Sequence, residues 1–126
     1  MLPASSGTKP IAFLATCRPA ESLAFYRDTL GLEVLEDSPF AVAFDAFGTM
    51  LRVQKVQAVN PHSYTSFGFH VPDIENAVRG LREAGVSTLR YPHFQQDDLG
   101  IWTAPSGARV CWFHDPDENV LSLSHI

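Results

Sequence analysis

The side chains in this chain with the widest chemical reach are five histidines, two cysteines and a scatter of carboxylates. The histidines are His62, His70, His93, His114 and His125, and no two share a spacing that would build a metal site on one element. His62 falls in a linker, His93 in a loop, His114 ahead of a DPD turn and His125 beside the C-terminus. His70 differs. In "SFGFH" the alternation of a strand puts it on the same side as Ser66 and Gly68, roughly 13 Å along from Ser66. It reads two ways, as a functional group on the inward side and as a structural histidine. Cys17 and Cys111 have no metal spacing and form no framework, so they read as free thiols, small apolar side chains in strands. No nucleophile elbow, P-loop or dinucleotide-type glycine run occurs. Asp28 and Glu83 are helix-surface charges by position, and no carboxylate pair falls on an inward face.

Those residues need a scaffold, and 126 residues allow one domain with a proper core. Hydrophobic residues at 45% and charged ones at 18% argue against disorder. A formal net charge of -5 without a Lys/Arg cluster argues against nucleic acid as a partner. No apolar run approaches the about 18 residues of a membrane span, and "MLPASSGTKP" lacks the features of an export signal. The expectation is a cytoplasmic protein with reduced cysteines.

Residues 1–9 read as a flexible arm. "PIAFLAT" (10–16) has strand character. In "PAESLAFYRDTLG", Leu23, Tyr26 and Leu30, with Ala20 and Ala24, share a helical face; Pro19 suits the first turn and Gly31 the stop. "LEVLED" (32–37), "FAVAFDAF" (40–47) and "TMLRVQKV" (49–56) read as strands between turn residues. The pattern then repeats. "SYTSFGFHV" (63–71) is a strand. "PDIENAVRGLREAG" is a helix capped by Asp73, with an Ile74, Ala77, Val78, Leu81 stripe and a stop at Gly85. "VSTLRYP" (86–92), "GIWTAPSGARVCWFHDP" and "NVLSLSHI" supply the remaining strands. The order is βαβββ twice, with the two stop glycines 54 residues apart. "VNPHS" is the linker, giving modules over 10–58 and 63–126 of a single domain spanning 10–126.

Three segments in this order carry a family resemblance: "LAFYRDTLGLEV", "FGFHVPDIENAVRGLREAGV" and "WFHDPDENVLSL". With the paired modules, the chain resembles the vicinal oxygen chelate superfamily over residues 10 to 125. That superfamily holds glyoxalase I, extradiol dioxygenases, fosfomycin resistance enzymes and bleomycin-binding proteins. The resemblance is specific to a fold and not to a reaction. It implies an α+β domain whose two βαβββ modules form a curled mixed sheet, a half-barrel around a cavity, and it implies a homodimer. It also implies where a metal would be held in the family's enzymes, by His or Gln, Glu, His and Glu on four strands.

Those four positions fall here on Ile11, Arg52, Ser66 and Ser122. Residues 10–16 contain no His, Asp, Glu or Gln, and strand 49–56 contains no carboxylate. Serine hydroxyls are poor metal ligands and arginine repels a cation. The expectation is no metal and no cofactor. The same alignment with strand alternation gives the inward set: Met50, Arg52 and Gln54; Ser66, Gly68 and His70; Ser122 and Ser124. Phe13, Trp102 and either Trp112 or Phe113 would supply aromatic walls. Arg52 could pair with a ligand's carboxylate, phosphate or enolate, or instead bridge to Asp45 or stand exposed on a strand edge. Asp97, Asp98 and Trp102 read either as a lid that contacts ligand or as a solvated acidic loop pinned by its tryptophan. "DPDEN" is a turn with Glu118 where the family has Gly, so Asn119 or a different geometry is expected to take the strained position.

The function expected is metal-free binding of an aromatic or anionic small molecule, like the bleomycin-binding relatives. Arg52, Gln54, Ser66, His70, Trp102, Trp112 and Ser122 are its candidate ligand-binding residues, and no catalytic residue is assigned. The alternative is a lyase, isomerase or dioxygenase of the glyoxalase kind, with an unconventional metal site or none. A non-catalytic sensor or partner domain is a third reading.

Overall fold

A computed structural model of the chain describes residues 1–4 and 7–126. The expected N-terminal arm therefore lies partly outside the described residues, and its remaining positions carry no helix or strand. The chain divides into two compact units, Met1–Val59 and Asn60–Ile126. Each has the order βαβββ and one four-stranded mixed sheet, so the fold is α+β.

The first unit runs β1 (Ile11–Thr16), α1 (Pro19–Ala24), β2 (Glu33–Asp37), β3 (Ala41–Ala46) and β4 (Thr49–Lys55). Its sheet order is β1-β4-β3-β2, with β1 parallel to β4 and the other pairs antiparallel. Helix α1 passes into a π-helical turn over Phe25–Thr29, closed by Leu30 N–H donating to the Phe25 carbonyl at 3.0 Å. Gly31, at φ 78°, then turns the chain out of the helix. Leu14, Val42, Phe44, Leu51 and Val53 are buried, and Tyr26, fully buried, lies 5.5 Å from the Phe44 ring. The alternate residues, Phe13, Ala43 and Arg52 among them, share the opposite face through their register.

The second unit runs β5 (Phe67–His70), α2 (Ile74–Glu83), β6 (Trp102–Thr103), β7 (Arg109–His114) and β8 (Val120–His125), in the sheet order β5-β8-β7-β6. Asp73 caps α2 by accepting from Asn76 N–H at 3.1 Å, and Ile74, Val78 and Leu81 are its buried stripe. One face of the sheet carries Phe67, Leu121 and Phe113 in one row and Phe69, Leu123 and Cys111 in the next. Helix α2 packs on β8. The other face carries Gly68, Ser122 and Trp112 in one row and His70, Ser124, Val110 and Trp102 in the next.

The structure corrects the sequence reading at several points. Residues 86–92 form no strand. The edge of β7 is taken by the two residues of β6 and by one bond from Leu89 N–H to the Trp112 carbonyl at 2.7 Å. Backbone turns and two side chains hold the rest of the loop. Gln96 accepts from Tyr91 N–H at 2.8 Å and donates to the carbonyls of Leu89 and Gly100 at 2.8 and 2.7 Å. Asp97 Oδ1 accepts from the N–H groups of Leu99 and Ile101. In the final turn it is Glu118 itself, at φ 65°, that takes the left-handed conformation, and not Asn119. Asp115 holds that turn by accepting from the N–H groups of Asp117 and Asn119 and from the Asn119 side-chain amide. Cys111 is buried in β7, but Cys17 follows β1 and is exposed.

Candidate functional site

Strand alternation places five of the seven candidate residues along one side of the second unit's sheet. Ser122 and Trp112 are direct neighbours across β8 and β7, and Gly68 faces Ser122 from β5. A Cβ at position 68 would collide with the Ser122 hydroxyl, so glycine makes the room in which that hydroxyl sits. Ser66 lies just before β5 and continues its ladder, donating its N–H to the Val120 carbonyl at 2.8 Å. It is exposed, whereas Ser122 is buried.

His70 ends the same alternation. Its ring stacks on His125 at 5.5 Å between centroids, and its Nδ1 lies 3.5 Å from the N–H of Ile126. His125 Nδ1 lies 2.9 Å from the Val71 carbonyl. The two histidines therefore tie the C-terminus to the end of β5.

Trp112 is half-buried on the Ser122 face, while Phe113 is fully buried on the other, so the aromatic wall is tryptophan. Around it the loop before β6 folds an aromatic cluster. Phe94 lies parallel to Trp112 at 5.2 Å and packs on Trp102 at 4.4 Å. Tyr91 meets Trp112 edge-on at 5.3 Å, and His93 packs on Phe94 at 4.4 Å. Burial pushes the Tyr91 hydroxyl pKa up from its ordinary value. A pocket of about 240 Å³ is lined by Tyr91, His93, Phe94 and Trp112 together with Tyr64 and Thr65. A second, of about 390 Å³, has Trp102, His93 and Asp97 in its wall. Sequence reasoning missed Tyr91, His93 and Phe94. Only the aromatic density of "RYPHFQQ" signalled them, and a loop offers no period from which to read direction.

Of the loop carboxylates, Asp97 has a local duty. Asp97 closes its own turn and stands 3.8 Å from Arg109, which also pairs with Glu75 at 3.0 Å. Trp102, on β6, contacts Phe94 of the loop before it and so anchors that loop.

Arg52 and Gln54 lie in the first unit. Arg52 is partly buried on an interior strand, opposite Phe13 and Ala43. The bridge to Asp45 does not form. Asp45 Oδ1 accepts from Gly48 N–H at 2.8 Å and closes the turn between β3 and β4, and among the described residues Arg52 makes no ion pair. Gln54 is exposed on the same strand face. Among the described residues no three His, Cys, Asp or Glu side chains come together as a group able to hold a metal ion. No helix of the described residues is long and apolar enough to cross a membrane.

Paired βαβββ units, each with one parallel and two antiparallel strand pairings, define a class of small domain, and the family assignment agrees. The chain belongs to the Glyoxalase/Bleomycin resistance protein/Dioxygenase superfamily, whose model matches residues 9–123. It is similar in structure to a glyoxalase family protein from Bacillus anthracis (TM-score 0.76, 16% identity, covering 98% of each chain). It is also similar to a superfamily member from Sphaerobacter thermophilus DSM 20745 (TM-score 0.73, 24% identity, 95% of this chain and 98% of that one). A third similar structure is a lactoylglutathione lyase from Agrobacterium tumefaciens (TM-score 0.71, 19% identity, 98% of this chain and 96% of that one). At these identities the likenesses speak for the fold alone. No curated protein matches the chain by sequence.

Proposed function

We propose that this protein binds a small organic molecule with a flat aromatic portion, and that it does so without a metal. One observation carries the reading: Ser122 and Trp112 share a row of the sheet face beside the cluster of Tyr91, His93, Phe94 and Trp102. Rings held edge-on and in parallel offer stacking surface to a planar ligand, and each such contact is worth about 1 kcal/mol. Hydroxyls at Ser66 and Ser122 and the imidazole of His70 supply hydrogen bonds that fix orientation. Ser66 and Ser122 also stand where metal enzymes of the superfamily keep ligands, which supports the metal-free reading. In the first unit Arg52, with Gln54 beside it on β4, is proposed by itself as a cation for an anionic ligand. The protein is proposed to work in the cytoplasm as a homodimer, which sedimentation of the purified chain tests.

The function is tested on chelator-stripped protein by titrating aromatic carboxylates and following tryptophan fluorescence. Saturable quenching that weakens about tenfold in Trp112→Ala supports the reading, a loss of about 1.4 kcal/mol. Affinity unchanged in both Trp112→Ala and Ser122→Ala variants would put the ligand elsewhere. Stoichiometric calorimetric binding of Ni²⁺, Zn²⁺, Mn²⁺ or Fe²⁺ would overturn the metal-free part.

A further inference from the structure

Away from the aromatic cluster, two arginines of the second unit converge. Arg82 is in the last turn of α2, and Arg90 is in the loop that follows. Arg82 Nη2 donates to the Asp98 carbonyl at 2.6 Å, and Arg90 Nη2 donates to the same oxygen at 2.9 Å. Arg90 Nη1 donates to the Asp97 carbonyl at 2.6 Å. Sharing one acceptor brings two cations to within a guanidinium's width of each other, and a neutral carbonyl does not cancel their charge. Among the described residues neither pairs with a carboxylate; the ion pairs of this unit belong to Arg79 and Arg109.

Both arginines line a pocket of about 380 Å³ completed by Gly85, Val86, Ser87 and Thr88, with no acidic residue in its wall. The carbonyl ends of α2 are already occupied. Leu81 O accepts from Ala84 and Val86, and Arg82 O accepts from Gly85, so the helix's negative pole is satisfied within its own turn. Each guanidinium carries five N–H donors, and the bonds to carbonyls leave most of them for a ligand. Those bonds also hold two long side chains in place before any ligand arrives, which lowers the ordering cost of binding.

We propose that this pocket binds the phosphate group of a small soluble molecule. A carboxylate carries one charge and is matched by a single bidentate arginine. A phosphate monoester carries about -1.5 to -2 charges at pH 7 and has three acceptor oxygens, enough for two guanidiniums and the Ser87 hydroxyl. None of the lining residues belongs to the aromatic cluster, so the proposal stands apart from the function proposed above.

The test is calorimetric titration of the full chain with inorganic phosphate at low ionic strength, with acetate as the comparison. Saturable one-site binding of phosphate that acetate at equal concentration does not displace is expected. Arg82→Gln and Arg90→Gln should each weaken it about tenfold, the scale of a lost charge-assisted pair. Because these arginines also tie down the loop, Ser87→Asp is the decisive variant: it puts a carboxylate into the pocket while keeping both guanidiniums, and should abolish binding without lowering the melting temperature. Arg79→Gln, on the same helix, should change nothing. Absence of saturable phosphate binding, equal competition by acetate, or full binding by Ser87→Asp would overturn the proposal.

Discussion

Gly68 on β5 and Ser122 on β8 stand directly opposite one another, and the serine hydroxyl occupies the space that a side chain at 68 would need. The glycine is thus part of the site without contributing an atom to bind with. Gly68→Ala should displace the hydroxyl and lower stability by about 1 kcal/mol, the low end of the cost of overpacking. In a Ser122→Ala background the nearest remaining atoms are the Ser122 carbonyl oxygen at 3.5 Å and its Cβ at 3.7 Å, ordinary contact distances, so the loss should vanish. Urea denaturation of the two single variants and the double variant measures the coupling; a coupling of zero would contradict the geometry.

Glu118 holds a left-handed backbone conformation that costs an L side chain about 1–2 kcal/mol relative to glycine. Its side chain is exposed and has no packing to lose. Glu118→Gly should therefore raise stability by about 1 kcal/mol, after the entropy glycine adds to the unfolded chain is set against the relief. Thermal denaturation of the variant checks the sign.

Gln96 makes three hydrogen bonds to the backbone of the loop that carries Tyr91, His93 and Phe94. Gln96→Ala leaves an N–H and two carbonyls short of a partner and should cost about 2–3 kcal/mol. Hydrogen exchange should rise at the Tyr91 amide and its neighbours while α2 keeps its protection. Uniform loosening of the whole unit would show instead that the loop and the core open together.

Burial pushes the Cys111 thiol up from its ordinary 9.0 to about 11. Above pH 9 the unfolded chain loses this proton and the folded chain keeps it. The contribution is thus fully present below pH 9 and is lost as pH rises toward 11. Stability should fall over that window, at up to about 1.4 kcal/mol per pH unit, and fall less in Cys111→Ala. At pH 8 a thiol reagent should modify the exposed Cys17 and spare Cys111 until denaturant is added.

The repeat was legible because it rests on local rules. Helix stripes at a period of 3.6, strand alternation at 2, the Asp73 cap and the stops at Gly31 and Gly85 each act within a few residues. The same alternation placed Ser66, Gly68 and His70 on one side of their strand. It could not choose between Trp112 and Phe113 as the wall, since adjacent residues always face opposite ways and the facing depends on what packs behind β7.

What the sequence determined by itself was the paired βαβββ order and the family. What only the tertiary structure decided lies between segments with no shared period. It turned 86–92 from a strand into a loop, because β6 and Leu89 take the edge of β7 and Gln96 satisfies the backbone. It gathered Tyr91, Phe94, Trp102 and Trp112 into one cluster and set Arg82 beside Arg90 on a single carbonyl. Such meetings depend on where an irregular chain closes on itself, and that closure is fixed by long-range hydrogen bonds and packing that no local pattern encodes.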